Sequence, residues 1–187
     1  MTAAAPLEPV KVSAARVSVR PVEERDIDEL LEINGDPEVT RFLPYPTWQS
    51  RDDGLAWLKR MRALEETGTC RQLVVERNAD AKVIGTVLVF RFDAGSARAE
   101  LGFVLGRAYW GQGFMREALE AVCEHAFSAM AIRRLEAEVN PANEPSNGLL
   151  RRIGFRLEGT LRKRWVAKGS APYDTNFYGF LAEEWHA

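Results

Sequence analysis

Cysteine and histidine are scarce in this chain, with two of each among 187 residues. The two cysteines, Cys70 and Cys123, exclude the kind of disulfide framework that stabilises small secreted domains. Cys123 lies in a strongly helical run, where a small buried thiol is the usual role. The histidines, His125 and His186, are too few and too far apart in sequence to indicate a zinc site. We therefore predict no bound metal and a reducing, cytoplasmic environment.

The chain also lacks a long apolar run and a dominant charge. No stretch approaches the ~20 apolar residues that a membrane-spanning helix needs. The formal net charge is -2, so the overall charge favours neither DNA nor an anionic membrane as a partner. Residues 1–15 lack the basic start and apolar block of a secretory signal. We expect them to form a mobile tail, followed by one domain over residues 16–187.

Hydrophobic periodicity alternates between strand and helix along this domain. Strands are predicted at 16–22, 72–77, 82–93, 97–105, 134–140, 155–166 and 173–181. Helices are predicted at 24–34, 51–66, 114–130 and 146–153. This order predicts an α+β domain with a mixed, mostly antiparallel twisted sheet of about seven strands flanked by about four helices.

Two glycines, Gly111 and Gly113, separate the predicted strand 97–105 from the helix that begins at Phe114. Glycine lets the backbone turn tightly, and a helix start presents unpaired NH groups with about half a positive charge. This combination suits a pyrophosphate. The dinucleotide pattern G-x-G-x-x-G fails because Arg116 occupies its third position, and no phosphate loop of the G-x-x-x-x-G-K-[ST] type occurs. From the glycines alone, an ordinary strand-to-helix turn is an equal alternative.

Two blocks of sequence resemble the GCN5-related N-acetyltransferase (GNAT) family. Glu100–Leu105 and Tyr109–Leu119 resemble its acetyl-coenzyme A motif. Asn140–Ser146, continuing through Leu149, Leu150, Gly154 and Phe155, resembles the second motif of its ribosomal-protein N-terminal acetyltransferase branch. The resemblance spans about 17–185. It departs at Met115, where the family commonly has a smaller residue, and this bulk predicts a narrower approach for the phosphates.

The resemblance implies an enzyme that moves an acetyl group from acetyl-CoA directly to a primary amine, with acetyl-CoA as the cosubstrate. A protein N-terminus is the acceptor that the branch suggests. A small amine or an antibiotic is the alternative acceptor, and a non-catalytic coenzyme A-binding sensor is the alternative function. A phosphotransferase is disfavoured because no lysine follows the second glycine and no magnesium-binding carboxylate pair is evident. Either a monomer or a homodimer fits the sequence.

The resemblance also assigns the catalytic roles. An amine must lose a proton before it attacks, since side-chain amines titrate near ~10.4 and α-amines near ~8, and Glu100 is the predicted base. Ser146 is the predicted donor of a proton to the leaving thiolate. Glu100 could instead be a surface carboxylate beside Arg98, and Ser146 could cap the helix that follows it.

The predicted binding residues fall into a coenzyme set and an acceptor set. The coenzyme set is Phe103, Val104, Leu105, Trp110, Gly111, Gln112, Gly113, Phe114, Met115, Asn140 and Asn143. The two asparagines could either bind the pantetheine amides or order their own loop. The acceptor set is Phe42, Tyr45 and Trp48, for which core packing is the alternative.

A basic patch, defined as Arg151, Arg152, Arg156, Arg162, Lys163 and Arg164, could contact RNA or only solvent.

Overall fold

The computed structural model describes residues 11–168 and 170–185. Its strands are β1 (Val12–Ser13), β2 (Val17–Pro21), β3 (Arg71–Arg77), β4 (Lys82–Asp93), β5 (Arg98–Leu105), β6 (Arg134–Val139), β7 (Arg156–Trp165) and β8 (Tyr173–Leu181). Its helices are α1 (Ile27–Asn34), α2 (Pro37–Thr40), α3 (Arg51–Glu65), α4 (Phe114–Ser128) and α5 (Glu144–Ile153). Short 3-10 turns precede α1 and α4 and follow β8.

The eight strands form one sheet in the order β1-β2-β3-β4-β5-β6-β8-β7. Every neighbouring pair is antiparallel except β5 and β6, which are parallel and are connected through α4. The predicted α+β class and mixed, mostly antiparallel sheet are confirmed, with eight strands in the described residues instead of about seven. This arrangement agrees with the single-domain fold that the resemblance implies.

Two short elements were missed by the sequence prediction. Strand β1 falls in the predicted mobile tail, where Val12 pairs with Val19 of β2; residues 1–10 lie outside the described residues. Helix α2 falls in the predicted loop that follows α1, where the side chain of Asp36 caps it by accepting from the NH of Glu38 at 2.9 Å. Elements of two and four residues are too short to show a period.

The sheet separates two hydrophobic clusters. Successive side chains of a strand point to opposite faces, and accordingly Val74 packs with α1 and α3, whereas Val75 packs with α4. Leu30 of α1 and Leu119 of α4 have no exposed surface. Burying a side chain of this size contributes about 2 kcal/mol relative to leaving it in water. Both faces of the central strands are therefore covered by helices.

Helix α5 ends abruptly at Gly154. This residue has φ 121°, and a Cβ at this position would lie 2.8 Å from the ring of Phe180. Only glycine avoids both the strain of positive φ and the clash. Gly148 lies inside the same helix, and a Cβ there would meet nothing within 4 Å.

We expect Gly154→Ala to lower the free energy of unfolding by roughly 2 kcal/mol, because it combines backbone strain with an overpacked ring. Gly148→Ala is the matched control in the same helix. It should raise the free energy of unfolding by about 0.5–1 kcal/mol, because alanine is the better helix former. Urea unfolding followed by circular dichroism measures both changes. Equal shifts for the two variants would contradict the assigned role of Gly154.

Candidate active site

Strands β5 and β6 pair over only three residues and then diverge. Their parallel register joins Arg98–Glu100 to Arg134–Glu136. Beyond Glu100, β5 continues to Leu105 and stays paired with β4 on its other side. In the described part of the chain, no strand pairs with the β6-facing edge of residues 101–105. This edge includes the predicted coenzyme residues Phe103, Val104 and Leu105, and its backbone groups are open to an extended ligand.

The glycine loop follows directly from this edge. Gly111 and Gly113 have φ values of 72° and 81°, which place both in the left-handed region. Two side chains hold the loop from within. Trp110 Nε1 donates to the carbonyl of Leu105 at 2.8 Å, and Gln112 Nε2 donates to the carbonyl of Ala108 at 2.8 Å. The side chains of Trp110 and Gln112 therefore shape the loop, while anion binding is predicted for its backbone NH groups.

Helix α4 begins at the end of the loop, with Gly113 as its N-cap. No side chain caps this end, so the first-turn NH groups have no side-chain acceptor. Phe114 and Met115 are 8% and 4% exposed and anchor the helix start in the core. The side chain of Met115 lies in the core cluster, and its burial there argues against the expectation that its bulk narrows the phosphate approach.

Arg16 secures the loop from the start of β2. Its backbone NH and its Nε donate to the carboxylate of Glu117 at 2.5 and 2.8 Å, and its Nη1 donates to the carbonyl of Gln112 at 3.0 Å. Its guanidinium also lies 4.7 Å from the ring centre of Phe114. Sequence reasoning missed this residue, since its partners lie about a hundred positions away and no local pattern indicates them.

Glu100 lies where β5 and β6 separate, and it is 5% exposed. Burial raises the pKa of its carboxyl group, the nearby carboxylates of Glu138 and Glu136 add to the rise, and Arg91 opposes it. Arg91 Nη1 donates to Glu100 Oε2 at 2.6 Å. Arg98 instead binds Glu136 at 2.8 Å. The alternative of a surface carboxylate beside Arg98 is wrong, because Glu100 is buried.

Glu138 is a second buried carboxylate that sequence reasoning missed. Its side chain is 5% exposed, and it accepts hydrogen bonds from Trp165 Nε1 at 2.6 Å, Arg164 Nη2 at 3.1 Å and Arg91 Nη1 at 3.2 Å. Burial pushes its pKa upward, but the hydrogen bonds from Arg164 and Trp165 and the charges of Arg164 and Arg91 outweigh burial and lower it. Two neighbouring carboxylates thus differ in protonation tendency, an arrangement typical of acid-base sites.

The second motif forms the turn from β6 into α5. Asn143, and not Ser146, caps this helix, because its Oδ1 accepts from the NH of Ser146 at 3.3 Å. Asn140 Oδ1 accepts from the NH of Ala142 at 2.9 Å. Both asparagines therefore order their own loop. The hydroxyl of Ser146 is half-buried in the first turn of α5 and makes no hydrogen bond to the residues that the structure describes.

Asn147 fixes this turn to the sheet. It is 1% exposed, and its Nδ2 donates to the carbonyls of Asn140 and Asn143 at 3.0 and 2.7 Å. Its Oδ1 accepts from Tyr178 Oη at 2.8 Å and from Asn176 Nδ2 at 2.9 Å. Sequence reasoning missed Asn147, although it directly follows Ser146, because an asparagine in a helix gives no indication of burial.

The predicted acceptor residues divide between core and surface. Trp48 is 6% exposed and packs against Trp57 with ring centres 5.5 Å apart, so it belongs to the core. Tyr45 is half-buried and donates to Asn34 Oδ1 at 2.9 Å. Phe42 is half-buried beneath the guanidinium of Arg41. Lys168, in the connection between β7 and β8, donates to the carbonyl of Thr40, which joins this connection to the end of α2.

Much of the basic patch is neutralised by the protein itself. Arg164 binds Glu138, and Arg156 binds Glu184 at 3.0 Å. Arg151 lies 3.9 Å from Glu144, and Lys163 lies 3.9 Å from Asp174. Arg162 and Lys163 are exposed on β7. Over residues 11–168 and 170–185 there is no cluster of metal-binding side chains and no helix long and apolar enough to cross a membrane.

Comparison with known proteins places this geometry in a family. The model of the acetyltransferase (GNAT) domain matches residues 16–156, more than half of the chain. An uncharacterized N-acetyltransferase, p20 of Bacillus licheniformis, is 31% identical over 170 residues, which cover 91% of this chain and 95% of that protein. The chain therefore belongs to the GNAT family and is an acetyl-CoA-dependent N-acetyltransferase.

Relatives with named acceptors are more distant. The ribosomal-protein-serine acetyltransferase of Escherichia coli K12 is 26% identical over 72% of this chain and 74% of its own length. The spermidine N(1)-acetyltransferase of the same strain is 25% identical over 84% of this chain and 82% of its own length. Among solved structures, Mycobacterium smegmatis RimJ in complex with CoA-disulfide has a TM-score of 0.84 and 25% identity, covering 94% of this chain and 89% of its own.

We expect Arg16→Gln to lower the free energy of unfolding by about 1 kcal/mol at pH 7, a value typical of the better exposed ion pairs. Burial pushes the pKa of Glu117 upward, but bonds from Arg16 outweigh it and lower the pKa. A lowered folded-state pKa means that the pair stabilises the protein above the unfolded pKa and loses this effect as the pH falls through the folded value.

The difference between wild type and Arg16→Gln should therefore shrink as the pH falls below about 4, as measured by urea unfolding at pH 7 and pH 3.5. Arg116→Gln is the control, since Arg116 forms an exposed pair with Glu120 one helical turn away. Its effect should stay below about 0.5 kcal/mol. A pH-independent effect of Arg16→Gln would contradict the ion-pair explanation.

Proposed function

We propose that this enzyme acetylates a primary amine by direct transfer from acetyl-CoA, and that the acceptor is the α-amine of a protein N-terminus. The observation that carries the proposal is the position of Glu100, a buried carboxylate with a raised pKa at the point where β5 and β6 separate. A base in this place lies next to both the open edge of β5 and the diverging strand β6. It can therefore receive a proton from an amine that approaches from the β6 side.

The residues of the open edge and the glycine loop fit the cosubstrate. The unpaired edge at residues 101–105 offers strand-like hydrogen bonds to the amides of a pantetheine arm. The NH groups of the glycine loop and of the first turn of α4 suit a diphosphate, and Arg16 holds the loop through the carbonyl of Gln112. When bound, acetyl-CoA supplies the activated acetyl thioester. The chain supplies binding, orientation and proton transfer.

Two side chains are proposed to move protons. Glu100 takes a proton from the acceptor amine and becomes neutral, which its raised pKa favours. Ser146 gives its hydroxyl proton to the leaving sulfur. This role is supported by its hydroxyl, which makes no hydrogen bond within the described residues, and by the turn of α5, which Asn147 holds in place. Neither Cys70 nor Cys123 acts as a nucleophile, since both thiols are buried with raised pKa values.

The charge distribution favours an acceptor with one amine over a polyamine. A polyamine would need several unpaired carboxylates, but Glu136 and Glu138 are already bound by arginines. In α1, Asp28 binds Arg51 and Glu32 binds Lys82. The similarity to a ribosomal-protein-serine acetyltransferase supports a protein N-terminus as the acceptor. A small amine such as spermidine is the second candidate, and the similarity to the spermidine enzyme is its support.

We expect wild type, Glu100→Gln and Ser146→Ala to bind acetyl-CoA in isothermal titration, because neither side chain belongs to the predicted cosubstrate edge or loop. Thiol release with peptides that begin with Ser or Ala should fall by about 10²–10⁴-fold in Glu100→Gln, the usual contribution of a general base. Thiol release should fall by about 10-fold or more in Ser146→Ala, a smaller loss because water can partly replace a proton donor.

Glu120→Gln is the matched control, because Glu120 is a partly exposed carboxylate on α4 that pairs with Arg116. Its turnover should equal that of wild type. The acceptor assignment fails if spermidine supports faster release than the peptides. The proposed transfer fails if acetyl-CoA binds but neither the peptides nor spermidine increase thiol release. That result would favour a non-catalytic coenzyme A-binding sensor.

A further inference from the structure

Arg91 occupies an irregular position in β4. The register of β4 with β5 shifts between Phe90 and Asp93, and Arg91 has φ 52°, in the left-handed region. A residue with a side chain is strained in this conformation. Bulges of this kind re-aim a side chain and are common beside active sites. The strained backbone here turns the side chain of Arg91 toward β5 and β6, where it meets two carboxylates.

One nitrogen of Arg91 serves both carboxylates. Nη1 lies 2.6 Å from Glu100 Oε2 and 3.2 Å from Glu138 Oε1. The side chain of Arg91 is 43% exposed, whereas those of Glu100 and Glu138 are 7% and 5% exposed. The guanidinium therefore lies at the solvent side of two buried acids.

The two carboxylates depend on Arg91 to different degrees. Glu138 has two further donors, Arg164 and Trp165 of β7. For Glu100, Arg91 is the hydrogen-bond donor that the described residues provide to the side chain. The charged groups that face Glu100 are Arg91 from β4, Glu136 and Glu138 from β6, and Arg164 from β7. Arg91 is thus the main counterion of Glu100, while Glu138 would remain paired without it.

We propose that Arg91 is a positioning residue for Glu100: it aims the buried carboxylate, serves as its counterion, and gives way to the positively charged acceptor amine while Glu138 retains it. This inference rests on the proposed role of Glu100 as the base. The ammonium group replaces one charged donor at Glu100 with another. One proton then passes from nitrogen to Glu100, which leaves a neutral amine and a neutral carboxyl group, and Arg91 remains paired with Glu138.

The first test measures the Glu100 carboxyl group directly, by carbon-13 NMR titration of the full-length protein, with Glu100→Gln used to assign its resonance. Arg91→Met should raise the pKa of Glu100 by about one unit or more, the usual effect of losing an opposite charge at this distance. Glu138→Gln should lower it, because a like charge disappears and Arg91 is left to Glu100. Arg98→Met is the matched control, since Arg98 is 39% exposed and binds Glu136, and its effect should be clearly smaller.

The second test is the pH dependence of kcat/KM with an acceptor peptide. Its acid limb should move to higher pH in Arg91→Met and to lower pH in Glu138→Gln, while Arg91→Lys should restore much of the wild-type profile. If Arg91 had only a structural role, Arg91→Met and Glu138→Gln would not shift the acid limb of the profile in opposite directions. The proposal is overturned if Glu100 titrates identically in wild type and in whichever of Arg91→Met and Arg91→Gln folds, or if Glu138→Gln raises its pKa.

The two proposals fail separately. If Glu100→Gln keeps full turnover, the proposed base is wrong, yet the NMR titration still decides whether Arg91 controls the ionisation of Glu100. If Glu100→Gln is inactive but the titration is insensitive to Arg91, the base stands and the positioning role falls.

Discussion

The separation of β5 from β6 after three paired residues is the constraint on which the rest of the site depends. A strand edge inside a sheet normally satisfies its hydrogen-bonding groups through its neighbour. Here β5 keeps its partner on one side, β4, and loses the other beyond Glu100. The open edge leads directly into the glycine loop and helix α4. A single extended ligand can therefore contact a strand edge, a loop and a helix start in succession.

The same divergence explains the concentration of charge around Glu100. Parallel pairing places Glu100 opposite Glu136 on one face of the sheet, and the alternation along β6 brings Glu138 to that face as well. Three neighbouring carboxylates with little exposure would repel one another and lose hydration, so each is paired with arginine. The pairing is unequal, and this inequality separates a carboxylate whose pKa is raised, Glu100, from one whose pKa is lowered, Glu138.

The two motifs are stabilised in different ways. In the first motif, Gly111 and Gly113 supply left-handed backbone that side chains resist, and Arg16 fastens the loop from outside. In the second motif, the buried amide of Asn147 takes up four hydrogen bonds and ties the turn to β8. The first motif is therefore also held by Arg16, which lies outside the family pattern, and the second by a buried amide that follows Ser146.

The sequence by itself determined the elements with a clear period and the motifs with local patterns. Strand β4 was predicted with its observed bounds, Lys82–Asp93, and α4 with its observed start at Phe114, because alternation and helical spacing are local properties. Only the tertiary structure decided the burial of Glu100, the capping of α5 by Asn143, the core position of Trp48, and the contacts of Arg16, Arg91 and Glu138. Each of these depends on which strands become neighbours, and pairings across tens of residues leave no period in the chain.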